Sequence, residues 1–239
     1  MHAFVEAFQF IGRDGSIAGE PGLPSLLHLA LETLKVAAIG VAISAAIGAP
    51  LGVWLGHVHK GSFFAINLGN IGRALPSIAV LAIGDAFLGL GLTVVEVALV
   101  VLAVPPIVTN SYLAVDEVDA ELVDAARGMG MSETQIVARV ELPLAVPLIF
   151  AGLRTASVFV ISTATIAALA GFSGTLGDPI ANETSYHFSG VLGAAICVAT
   201  LALAVEGALA LAQRALTPRG VRIASARVAG LGAPAPGLT

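Results

Sequence analysis

Five apolar stretches, each near the length of a bilayer-crossing helix, leave this chain few folds to adopt. Crossing the hydrocarbon as a helix takes about 20 apolar residues. Residues 34–56 meet that length, with Lys35 as the one charge at the edge. Residues 74–114 are too many for one crossing, and the turn-prone GLGLT from Gly89 to Thr93 divides them into 74–90 and 93–112. Residues 144–171 and 190–212 complete the set. Only 11% of the 239 residues are charged and 57% are hydrophobic, against about 25% charged in a soluble domain. That is too little polar surface to wet a globule. The expected fold is an all-α membrane protein with about five transmembrane helices, its natural solvent the lipid bilayer.

Cations set the orientation, because cytoplasmic loops carry an excess of Lys and Arg. Lys60 and Arg73 fall in the first short loop, Arg127, Arg139 and Arg154 in or beside the central polar segment, and Arg214, Arg219, Arg222 and Arg227 in the tail. On a five-span count these three regions share one side, leaving Arg13 and Lys35 on the other. The reading is an extracytoplasmic segment 1–25, a membrane domain 26–214, and a cytoplasmic tail 215–239. The tail ends in AGLGAPAPGLT, which has nothing to bury and is expected to be disordered. The N-terminus lacks a cationic region ahead of an apolar core and is not read as a cleaved signal peptide.

Several function classes drop out. A net charge of −5 offers no basic surface for nucleic acid. The single Cys197 excludes an intrachain disulfide, and its place in an apolar run reads as packing. His57, His59 and His187 are read as loop residues without carboxylate partners at ligand spacing, so no metal site is expected. There is no GxxxxGK[ST] phosphate cradle and no catalytic triad, so no catalytic residue is assigned. Asp85, Glu96 and Glu206 are too scattered for a proton relay, and no broken midplane helix is read that would suit an ion-coupled transporter. Asp85 and Glu96 are expected to reach the outer headgroups. Glu206 is expected to pair with Arg214 or to snorkel, and Glu32 to pair with Lys35.

The long segment outside the spans is 115–143. Val118, Leu122, Ala125, Ala126 and Met129 follow the spacing of one apolar helix face. Gly128 and Gly130 suit a helix stop. Ser132 with Gln135 fits a capping box that starts a second helix, and Pro143 either ends that helix or opens the next span. The expected product is a short helix, a glycine turn and a second helix leading into the membrane.

Asp124-Ala125-Ala126, then Gly130, then Val140-Glu141-Leu142-Pro143 resembles the EAA loop of ABC importer permeases, with Asp124 for the usual Glu and Val140 for the usual Ile. ELVDAARGMGMS, RALPSIAVLAIG, LAVPPIVTNSY and GTLGDPI resemble the osmoprotectant branch of that family, in the same order, over about 26–214. The resemblance implies a type I ABC importer permease architecture in a bacterial inner membrane. It implies import of glycine betaine, choline, carnitine or proline betaine. A permease for methionine or another small organic solute, or a non-transporting membrane scaffold, are the alternative readings. Implied partners are a dimer of ATPase subunits, a second permease subunit and an extracytoplasmic solute-binding protein. ATP and magnesium would be held by the ATPase partner, with no cofactor in this chain. Glu121, Asp124, Ala125, Ala126, Arg127, Met129, Gly130, Leu142 and Pro143 are the residues expected to touch or shape the ATPase interface. Ser157, Ser162, Thr163 and Thr165 on the fourth span are candidates for lining the solute passage.

Overall fold

The computed structural model describes residues 2–12, 24–89, 91–218 and 220. The expected tail beyond 220 and Arg13 lie outside them. After a short helix α1 (His2–Phe10), the chain forms α2 (Leu26–His57), α3 (Ser62–Ala74), α4 (Ser77–Leu88) and α5 (Leu92–Asp116). Two short helices, α6 (Ala120–Gly128) and α7 (Glu133–Ile136), lead through a wide π turn (Val137–Glu141) into α8 (Leu142–Ile166). The short α9 (Asp178–Ala181) precedes α10 (Glu183–Leu216), which is kinked at His187, where the backbone leaves helical geometry at φ 56, ψ 168. Among the described residues, four helical runs, at α2, α5, Glu133–Ala170 and α10, are long and apolar enough to cross a membrane, and the bent pair α3–α4 makes up to five.

That pair corrects the sequence reading. The expected second span, 74–90, and the loop before it are instead two helices meeting at 89°. Pro76 explains the break: its ring disfavours helical geometry at the preceding residue, and Leu75 is extended at φ −74, ψ 121. A broken helix is therefore present where none was expected. By contrast, the glycine turn separating α4 from α5 falls where GLGLT indicated, with Gly89 at φ +75.

The bundle is organised on α5, which packs against both α2 and α8. Val36, Leu99, Ile107, Ala156, Val160 and Ile161 are among its buried core. The α2–α5 seam is built from small residues at every fourth position: Gly40, Ser44, Gly48, Gly52 and Gly56 are all buried. A Cβ on Gly52 would stand 2.5 Å from the Val108 carbonyl oxygen, and one on Gly56 2.7 Å from that of Tyr112. In lipid there is no water exclusion to draw helices together, so close backbone approach supplies the packing.

At the opposite end from α6, the loop between α8 and α10 is tied into the bundle. The Leu176 N–H donates to buried Thr33 Oγ1 of α2 at 2.9 Å, and Thr175 Oγ1 donates to the Ala164 carbonyl of α8 at 3.3 Å. Asp178 accepts the Gly174 N–H at 2.7 Å. A Cβ on Gly177 would overlap the Thr165 carbonyl. We expect Gly177→Ala to lower stability by about 3 kcal/mol, the upper end of the usual overpacking cost because backbone must move, read as the thermal midpoint of purified protein. An unchanged midpoint would show that the loop does not sit in that notch. Helix α1 packs at this same end, with Phe10 and Ala7 against Gly190 and Gly193 of α10.

Candidate functional site

The hairpin of α6 and α7 is built as its residues indicate, with two refinements. Asp119 caps α6 by accepting the Glu121 N–H at 2.9 Å. The helix stops at Gly130, which holds φ +85, while Gly128 lies inside it. The Gly130 N–H reaches the Arg127 carbonyl at 3.0 Å and the Met131 N–H that of Ala126 at 3.2 Å, the pairing of a Schellman cap. Ser132 and Gln135 form the capping box at the start of α7.

The apolar stripe divides in two. Val123 and Ala126 are buried with Ile136, against Val118, Met131 and Val140. Leu122, Ala125 and Met129 face outward, with Leu122 50% and Met129 75% exposed. At 100° per residue Ala126 is turned toward Val123 and Ala125 away from it, so one stripe serves two surfaces. Ala126 therefore shapes the hairpin from inside, whereas Glu121, Asp124, Ala125, Arg127, Met129 and Gly130 are exposed.

Arg127 bridges the turn. Its guanidinium donates to both Glu133 carboxylate oxygens, at 2.9 and 3.1 Å, and to Asp124 at 3.1 Å. Hydrogen bonding and charge from Arg127 hold the Glu133 carboxyl below its ordinary value. With a lowered folded value, this clamp acts above the ordinary carboxylate range and is lost as pH falls through the lowered one. Both side chains are wet, so the clamp sets geometry more than stability.

Glu133 also connects inward. His57, the last residue of α2, has Nε2 3.4 Å from Glu133 and Nδ1 2.9 Å from both oxygens of Glu141, which is 2% exposed. His57 and His59 each have a carboxylate partner from a distant part of the chain, a pairing outside the ligand spacings considered in the sequence: His59 lies 2.9 Å from Asp116. These pairs join residues as far as 84 apart in sequence, which loop spacing does not reveal. No His/Cys/Asp/Glu group of metal-binding form occurs among the described residues. Pro143 opens α8 and ends nothing. The π turn before it, with the Leu142 N–H on the Val137 carbonyl, widens the ladder where the proline N–H is missing. Leu142 and Pro143 are half-buried there.

His57, Glu133 and Glu141 therefore pin the end of α2 and both ends of the hairpin's exit to one another. Removing the imidazole by His57→Ala strands a buried carboxylate, and we expect a loss of about 3 kcal/mol. The double variant with Glu141→Ala should lose less than the sum of the single losses, measured by thermal unfolding. Strict additivity would show that the two do not act together.

Charged groups inside the bundle depart from expectation. Arg154 is not beside the polar segment but at the middle of α8, where it pairs with Glu206 of α10. Glu206 thus pairs across helices with Arg154. Glu96 does not reach out: both oxygens are buried without a partner among the described residues, facing Gly40. Asp85 is half-buried toward the end of α4. Glu32 and Lys35 do pair, at 3.3 Å.

Of the four hydroxyl candidates, Ser162 and Thr163 line a cavity of about 660 Å³ with Arg154, Thr155, Phe159 and Glu206. Ser157 borders a separate apolar groove beside Leu34 and Leu153, and bonds back to the Leu153 carbonyl. Thr165 bonds back to that of Ile161.

Comparisons with known proteins agree with this arrangement. Residues 48–219 match the family model described as a binding-protein-dependent transport system inner membrane component. The choline transport system permease protein OpuBB of Bacillus subtilis is 37% identical over 82% of this chain and 91% of its own length. The carnitine transport permease protein OpuCB of Listeria monocytogenes is 37% identical over 83% of this chain and 91% of its own. The osmoprotectant import permease protein OsmY of Salmonella typhimurium is 33% identical over 82% and 84%. Among solved structures, a chain of the MetNI methionine ABC transporter in an inward-facing conformation superposes with a TM-score of 0.69. It is 24% identical, over 81% of this chain and 96% of that one, and so speaks to fold alone. With its apolar helices, its hairpin between the third and fourth spans and these matches, this multi-pass membrane protein belongs to the family of binding-protein-dependent transport system inner membrane components.

Proposed function

We propose that the chain is a membrane-spanning permease subunit of an ATP-driven importer for osmoprotectants such as glycine betaine, choline, carnitine or proline betaine. It works as one of two permease subunits, identical or similar, on two ATPase subunits, and an extracytoplasmic binding protein delivers the solute. The α6–α7 hairpin and the C-terminus face the cytoplasm, and the N-terminus faces out. ATP is hydrolysed by the partner and not by this chain.

The observation that carries this reading is the outward face of α6. Leu122, Ala125 and Met129 form an exposed apolar ridge beside Asp124 and Arg127, on a helix fixed from behind by Val123 and Ala126. Such a ridge gains by entering a cleft on another protein. The His57–Glu141 pair and the continuous run Glu133–Ala170 would carry its displacement into the bundle. The substrate class is supported by the names of the relatives, which are choline, carnitine and osmoprotectant permeases.

The test is uptake of labelled glycine betaine and choline in a strain carrying this system alone, with the ATPase co-purified through a tag on this chain. Uptake of neither solute removes the substrate reading. Failure to recover an ATPase removes the importer mechanism as well.

A further inference from the structure

The cavity beside α8 combines features that a simple packing defect lacks. Arg154 lies at the midpoint of the 25-residue α8, about 18 Å of helix beyond Leu142 at 1.5 Å per residue. That places a guanidinium near the middle of a hydrocarbon layer about 30 Å thick, where ionisable groups are rare and face the interior or a water-filled space. Its partner Glu206 stands on α10, and both line the cavity. Arg154 Nη2 is engaged by Glu206, but Nε is buried and has no partner among the described residues. One donor of the fork is thus spare.

The rest of the lining fits one class of solute. Phe159, 40% exposed, presents an aromatic surface, and Thr155, Ser162 and Thr163 add hydroxyls. The break between α3 and α4 also borders the cavity, through Gly72, Leu75 and Ser77. Ser77 opens α4, whose first turn has no side-chain cap. Uncapped N–H groups at a helix start carry positive potential and add to that of Arg154.

Resting on the proposed importer reading, we infer that this cavity is a transit site for zwitterionic quaternary ammonium solutes, its two charges satisfied when empty by the Arg154–Glu206 ion pair. The solute enters by exchanging partners. Its carboxylate takes the Arg154 fork, including the spare Nε, and its ammonium takes Glu206 and the face of Phe159. The count of ion pairs rises from one to two with no change in net charge, so neither protein group is left unpaired. A solute with the ammonium alone occupies Glu206 but strands Arg154. The site therefore favours zwitterions over simple cations, and Arg154 is the residue that distinguishes them.

The complete transporter, with its ATPase and binding protein in lipid vesicles, tests this by uptake of glycine betaine and choline in parallel. Arg154→Gln removes the carboxylate partner and should lower the glycine betaine to choline uptake ratio by about tenfold, the loss of one charge-assisted contact. Glu206→Gln should reduce uptake of both. Size-exclusion and thermal profiles identify variants that fail to fold, and Arg154→Lys, which keeps charge without the fork, should fall between. A second readout needs no uptake. Ser162→Cys in a Cys197→Ala background should react with a trimethylammonium-bearing methanethiosulfonate, and millimolar glycine betaine should slow that reaction. An unchanged uptake ratio in folded Arg154→Gln, or no reaction at position 162, overturns the site. A wild-type complex that carries neither solute overturns the osmolyte reading itself, and is recognised before any variant is made.

Discussion

Gly52→Leu is expected to abolish accumulation of folded protein in the membrane. At this position even a methyl group would meet the Val108 carbonyl oxygen at 2.5 Å, Ser111 Cβ at 2.6 Å and the Tyr112 nitrogen at 3.0 Å. Two of those atoms are backbone of α5, so no rotamer change relieves them. Overpacking in a core that can adjust costs about 1–3 kcal/mol; here α2 and α5 must part, and α5 is the helix on which α8 also rests. The expected loss exceeds the whole stability margin of a typical domain, about 5–15 kcal/mol, only if the seam opens along its length. Gly40, Gly48 and Gly56 make that outcome the natural one, since each is also in close contact with α5. Gly128 supplies the control. It lies inside α6 with nothing within 4 Å of a Cβ, so Gly128→Ala should be neutral or stabilise by up to about 1 kcal/mol. Monodisperse recovery of Gly52→Leu at wild-type yield would refute the seam.

The second large effect concerns association and leaves the fold alone. Leu122→Asp should leave the isolated chain as stable as before, because that side chain is already half in water. Co-purification of the ATPase should nevertheless fall by about a hundredfold. Fully burying a leucine contributes about 1.5–3 kcal/mol, and a carboxylate forced into an apolar cleft loses solvation on top of that. About 3 kcal/mol corresponds to that factor. Val123→Asp provides the contrast: Val123 is 8% exposed within the hairpin, so this change should disrupt the hairpin itself and show in the thermal profile. Full ATPase recovery with Leu122→Asp would mean that the ridge does not dock.

What a reader of the sequence can foresee here follows the range of the forces involved. Span length and the turn at Gly89 are local, and α2, α5, α8 and α10 lie across four of the five expected stretches. The capping box at Ser132 and the stop at Gly130 are equally local. Helix α3 escaped notice because Asn67, Asn70 and Arg73 interrupt its apolar run, and the consequence of Pro76 is a change of direction that hydropathy does not register. The contacts that matter most for chemistry are long-range. Arg154 meets Glu206 from 52 residues away and His57 meets Glu141 from 84, and neither spacing matches a motif. Ser157 and Thr165 illustrate the local side of the same rule: each donates its hydroxyl to the carbonyl four residues back in its own helix.

The loop that ends in α9 limits how this subunit can move. Its Leu176 and Thr175 hold α2 to α8 through a buried hydroxyl and a notch admitting only glycine at 177. Prising those helices apart would leave the buried Leu176 N–H without its acceptor and cost about 1–3 kcal/mol. Opening the bundle at that extremity would have to break this tie, whereas movement of α2 and α8 as one unit leaves it intact.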